Sequence, residues 1–257
     1  MFFARTEVFA RAGDIRLQLW DVKRRVTQNL QQPEKDMPNY LGLDGFRFGW
    51  VAAWIDDHGH HAFDYGPGLA RLLAIPHERA MIDMPIGLKT EGYRVCDLRA
   101  HELIGAAVFL GARRNLWEFP NLATANRHYW QREDKGMGVS CQLWNIRDKI
   151  REVDDFITPQ HQTTIGEAHP ELILWNLAGE LRLERKTTDR GREQRVRLLV
   201  ERGFAKLPKW LTQRHGTGIG RDDLIDACAC AVAARDSKRR LGGDEVDIRG
   251  LRMEINY

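Results

Sequence analysis

Four aspartates in this chain, Asp44, Asp83, Asp223 and Asp226, are set where a hard divalent cation would need its ligands. Asp44 closes the apolar run Leu41-Gly42-Leu43 and Asp83 closes Met81-Ile82, each a run of the kind that forms a buried strand. Asp223 and Asp226 stand three apart at the start of an alanine-rich helix, so both carboxylates share one helical face. An aspartate inside an otherwise apolar strand is costly unless it is paired or metal-bound. Oxygen ligands suit Mg²⁺ or Mn²⁺. Hydrolysis of a phosphodiester needs an activated water and a stabilised leaving oxygen, and two such ions about 4 Å apart supply both. The four aspartates are therefore the expected catalytic and metal-binding residues, with Glu171 a further metal ligand and Glu167 a secondary candidate. Each also has an ordinary structural reading. An acid near a helix start favours the macrodipole, which applies to Asp226 and to Glu171, and His169 beside Pro170 reads first as a local hydrogen-bonding residue.

Cations for a polyanionic substrate are supplied mainly by residues 182–214, which hold eleven Lys or Arg against four acids. Such a run serves either as a solvated helix face or as a phosphate-binding surface. Arg47, Lys186 and Arg195 are the residues assigned to substrate, and nucleic acid is the expected partner. Between Tyr93 and Asp155 basic and aromatic residues interleave, among them Arg113, Trp117, Tyr129, Trp130 and Trp144. Base stacking uses those types, although aromatic residues at helical spacing more often form core.

The elements that must position these groups begin at Asn39. Strands are expected at Tyr40–Asp44 and Gly49–Ile55, then a turn at residues 56–60, a short helix at Leu69–Leu73 and a buried strand at Ala80–Asp83 stopped by Pro85. The middle of the chain is helical by spacing, Pro170 suits the first turn of a helix, and Asp222 is the expected N-cap of the acidic helix. Residues 1–38 end in a Pro- and Gln-bearing stretch and read as an appendage or linker, leaving residues 39–257 as one enzyme-sized α/β domain. Cys96, Cys141, Cys228 and Cys230 lack zinc-ligand spacing, and charges at Arg5, Glu7, Arg11 and Asp14 interrupt any signal-peptide core, so a soluble, reduced, cytoplasmic protein is expected. The net charge of +3 permits a phosphate-bearing partner without requiring one.

Taken in order, Asp44-Gly45 with Gly49-Trp50, Ile82-Asp83-Met84-Pro85-Ile86-Gly87-Leu88, Gly138-Val139-Ser140 through Lys149-Ile150-Arg151-Glu152-Val153-Asp154, Glu167-Ala168-His169-Pro170-Glu171, and Asp222-Asp223-Leu224-Ile225-Asp226-Ala227 resemble an uncharacterised bacterial and archaeal family of predicted nucleases with the RNase H-like fold. The resemblance covers roughly residues 40 to 257 and implies a ribonuclease H-like α/β core. That core is a mixed five-stranded sheet with its first three strands antiparallel, flanked by helices, with a helical insertion before the last helix. It places Asp44 on the first strand, Asp83 at the end of a later central strand, and Asp223 with Asp226 on the final helix. The implied activity is metal-dependent hydrolysis of nucleic-acid phosphodiester bonds by a two-metal carboxylate mechanism. Two other classes stay open: an ATP-dependent phosphotransferase of the actin or sugar-kinase type, using Asp44-Gly45 and the glycines of Gly216–Gly220, and a non-catalytic nucleic-acid-binding protein that keeps its acids for structure.

Overall fold

A computed structural model of the chain describes residues 39–132, 138–216 and 218–257. The predicted appendage, residues 1–38, lies outside the described residues. Strands β1 (Tyr40–Phe46) and β2 (Gly49–Ile55) pair antiparallel around the two-residue turn Arg47-Phe48. β3 (His61–Gly66) continues the antiparallel pairing on the far side of β2. The short helix α1 (Leu69–Leu73) then leads to β4 (Arg79–Ile82), which lies parallel to β1, and β5 (Ile165–Glu167) lies parallel to β4. The result is a mixed five-stranded sheet in the order β3-β2-β1-β4-β5.

Between β4 and β5 the chain makes a helical excursion through α2 (Val95–Ile104), α3 (Leu122–Arg132), α4 (Cys141–Asn145) and α5 (Arg147–Phe156). After β5 come α6 (Pro170–Leu177), with Pro170 in its first turn as its missing N–H favours, then α7 (Asp189–Glu201), α8 (Leu207–Leu211) and the long α9 (Arg221–Asp236). None of the described helices is long and apolar enough to cross a membrane. A hairpin of β6 (Arg240–Val246) and β7 (Arg252–Asn256) follows, which the apolar pattern of Arg240-Leu-Gly-Gly-Asp-Glu-Val does not announce.

Side chains alternate across the sheet, and that alternation decides where the acids point. Leu41, Leu43, Trp50, Ala52, Ala80 and Ile82 face one core, packed with Leu69 and Leu72 of α1 and with Ile150 and Val153 of α5. Val51, Ala53 and Met81 face the other, which is built on the buried run Ala227–Ala234 of α9 and on Leu172–Leu174 of α6. Gly42 belongs to the α9 face, where a Cβ would stand 2.1 Å from the Ala227 carbonyl and 2.1 Å from the Ala231 amide nitrogen. The small residues of α9 and the bare Gly42 together let helix and strand meet backbone to backbone. Asp44, two residues on from Gly42, and Asp83, two on from Met81, therefore share the α9 face of the sheet.

Candidate metal centre

Parallel strands end at the same edge of a sheet, and here that edge carries the acids. Leu43 pairs in register with Ile82, so Asp44 and Asp83 are the next residues along β1 and β4, and the Asp83 amide extends the ladder by donating to the Leu43 carbonyl at 2.9 Å. Asp226, in the second turn of α9, approaches from the helix lying over them. Asp44, Asp83 and Asp226 each offer one carboxylate oxygen, and these oxygens all lie within 4.8 Å of one another. Asp44 and Asp226 are only 6 % and 5 % exposed, so the cluster sits at the bottom of a cleft.

Three carboxylates brought together out of water are electrostatically unsettled. Burial, then the neighbouring Asp83 and Asp226, push the Asp44 carboxyl well above the usual range, and burial followed by Asp226 does the same to Asp83. Burial lifts Asp226 to about 6 against the opposing pull of Lys186, whose Nζ donates to Asp226 Oδ2 at 3.2 Å. Asp226 in turn holds the Lys186 ammonium above the ordinary lysine range. Asp44 Oδ1 accepts the Gly45 N–H at 2.7 Å. Asp226 Oδ1 is buried with no hydrogen-bond partner among the described residues. Hard oxygen donors, mutual repulsion and an orphaned buried oxygen together are what a divalent cation relieves, and the donor set fits Mg²⁺ or Mn²⁺ rather than a thiolate- or imidazole-seeking metal.

Of the remaining candidates, Asp223, Glu171, Arg195 and Lys186 line the same cleft and Arg47 does not. Asp223 is the third residue of α9, and its Oδ2 accepts the Gly220 N–H at 2.6 Å, so its carboxylate caps the helix. Gly220, not Asp222, is the N-cap: the helix starts two residues earlier than an Asp222 cap requires, leaving Asp222 inside its first turn. Glu171, in the first turn of α6, is gripped at both oxygens by Arg195, with Nε at 2.9 Å and Nη2 at 2.6 Å. Arg195 Nη1 donates to the carbonyls of Glu184 and Gly191, so this buried guanidinium, assigned to substrate from sequence, serves here as a clamp on Glu171 and on the loop before α7. Lys186 stands in that loop with its ammonium on the acid cluster. Arg47 is exposed in the β1–β2 turn, its guanidinium 5.0 Å from the Phe48 ring centroid and away from the cleft lining.

Glu167 closes β5 level with Ile82, yet alternation turns it away from α9. It accepts from Arg94 at both oxygens, at 2.7 and 2.6 Å, and from the Ile86 N–H at 2.7 Å, while Arg94 also binds Asp97. Burial, opposed by Arg94, brings Glu167 to about 7. Nothing in the sequence around Arg94 distinguishes it from the solvated arginines near it; its burial becomes visible only in the fold. His169 lies just before Pro170 beside the cleft, its Nδ1 buried without a partner among the described residues, and burial lowers its pKa.

No curated protein and no solved structure matches this chain. A family model described as protein of unknown function (DUF429) matches residues 42–244, a span that holds all three clustered aspartates and most of the chain, and the protein belongs to that family.

Proposed function

We propose that this protein is a metal-dependent nuclease that hydrolyses nucleic-acid phosphodiester bonds at the cluster of Asp44, Asp83 and Asp226. The observation that carries the reading is the convergence of these three buried carboxylates, drawn from two parallel strand ends and a helix, within 4.8 Å. The order of motifs that resembles predicted nucleases of the RNase H-like fold supports it, as does the mixed sheet. Bound there, Mg²⁺ or Mn²⁺ supplies Lewis-acid polarisation of a phosphoryl oxygen. The chain's own part is to fix the ligands. The Gly45 amide orients Asp44, Lys186 orients Asp226, and burial keeps bulk water from the cluster. Lys186, with Arg182 and Arg185 along the same rim, supplies positive charge where a phosphate enters. A second ion, as a two-metal scheme requires, needs acids beyond the three; Asp223 and Glu171 line the same cleft, but one caps its helix and the other is held by Arg195, so the arrangement supports one ion directly.

The test is to incubate the purified protein with labelled single-stranded, duplex, hybrid and four-way-junction substrates in Mg²⁺ and in Mn²⁺, beside an Asp44→Asn, Asp226→Asn double variant. Cleavage that requires metal and vanishes in the variant is the expected result. Failure of a folded, metal-binding wild type to cut any of them refutes the proposal and leaves the acids to phosphotransfer or binding.

A further inference from the structure

The cleft over the acids has a volume of about 950 Å³, and its lining is of three chemical kinds. One is the acid cluster. A second is the cationic loop carrying Arg182, Arg185 and Lys186. The third is apolar, formed by the segment running from Ile104 at the end of α2 to Phe109 and by Leu143 and Ile146 around α4. Phe109 is 39 % exposed, a large hydrophobic residue left outside the core at the wall of a polar site.

A double helix presents its phosphates on a convex surface and keeps its bases stacked inside. Because Asp44 and Asp226 are almost wholly buried, a phosphate reaches them only by entering the cleft, and a space of this size is that of a single small-ligand site. A nucleotide freed from pairing satisfies all three linings together. Its phosphate meets the acid cluster and its metal, the adjoining backbone meets the cationic loop, and its base lies on apolar side chains, as in enzymes that act on flipped-out or single-stranded nucleotides. His169, whose buried Nδ1 lacks a partner among the described residues, adds a polar group to the same lining.

We infer that the cleft takes one unpaired nucleotide, with its phosphate at Asp44, Asp83 and Asp226 and its base against Phe109 and Ile146, so that the substrate is a single strand or a duplex with an extrahelical nucleotide. The inference rests on the proposed hydrolysis and adds to it the class of substrate.

Binding tests it separately from turnover. Fluorescence anisotropy in Ca²⁺ compares a labelled 12-nucleotide single strand, the same sequence as a perfect duplex, and that duplex with one bulged nucleotide. The single strand and the bulge are expected to bind about tenfold or more tighter than the perfect duplex, the scale of one base stacked on a protein side chain. Phe109→Ser and Ile146→Ser, each checked for folding by its thermal transition, weaken single-strand binding by about five- to tenfold, and Phe109→Trp restores it. Perfect duplex bound as tightly as single strand, or single-strand affinity unmoved by both serine variants, overturns the inference while leaving hydrolysis standing. Selective single-strand binding without cleavage in Mg²⁺ or Mn²⁺ upholds the pocket and removes the nuclease. Failure to bind any of the three overturns the pocket.

Discussion

Replacing Asp226 with asparagine separates the cost of the acid cluster from its use. Burial raises the folded-state pKa of Asp226 from 3.8 to about 6, so between those values the folded protein keeps a proton that the unfolded chain has lost. The metal-free protein is thus most stable, as far as this group decides, below the unfolded value, and that stability is lost as the pH rises through the folded one. The full penalty is about 3 kcal/mol, of which nearly half falls between pH 5 and pH 8. The favourable ion pair with Lys186 is already contained in that figure, because it opposes the effect of burial. Urea denaturation in EDTA at pH 5 and at pH 8, for wild type and Asp226→Asn, isolates the term, since titrations common to both proteins cancel. Wild type is expected to lose at least about 1 kcal/mol more than the variant, and more still because Asp226 also raises Asp83 and Asp44. Mg²⁺ should then restore the wild type, by about 2.7 kcal/mol at a hundredfold excess over its dissociation constant, and leave the variant unmoved. Parallel pH profiles for the two proteins would refute the reasoning, for they would mean that the three carboxylates do not share a buried site.

Two further outcomes follow from the packing. Gly42→Ala drives a methyl into the α9 backbone at Ala227 and Ala231 and should lower stability by about 3 kcal/mol, read by calorimetry as a fall in Tm of at least about 6 °C; an unchanged Tm would show that helix and strand stand farther apart. Because Asp223 caps its helix while Asp83 belongs to the cluster, Asp83→Asn should weaken Mn²⁺ binding in titration calorimetry by at least about tenfold, and Asp223→Asn by much less; equal losses would place Asp223 among the ligands.

Asp44 and Asp83 were legible in the sequence because each closes a short apolar run that forms a buried strand, and Asp226 because it stands near the start of a helix of small apolar residues. The same spacing argument joined Asp223 to Asp226, yet spacing along a helix does not say whether an acid in the first turn spends itself on the helix's own free amides. Arg94 was opaque for another reason, and Glu167 was legible only as a secondary candidate. β5 has three residues, too few to show which face Glu167 takes, and its partner Arg94 lies far away in the chain on a different element. Arg195 sits in a basic run that reads as surface, and only the approach of Glu171 across the α6–α7 contact explains its burial. Strand β6, with glycines and charges where apolar residues would alternate, offered no periodicity to read, whereas β7 carries a plain period-two pattern, Met253 and Ile255 between Arg252, Glu254 and Asn256, that the sequence-based expectations did not use.

Gly42 has a consequence in time as well as in space. Asp44 and Asp83 are synthesised early, but they acquire their third companion only when α9, carrying Asp226, has been made and has slid its backbone onto β1 over that glycine. A nascent chain therefore carries two isolated aspartates and an incomplete carboxylate cluster until nearly the whole domain has emerged. The docking of one helix is the event that completes the cluster, and a chain that stalls or misfolds before it lacks the third carboxylate.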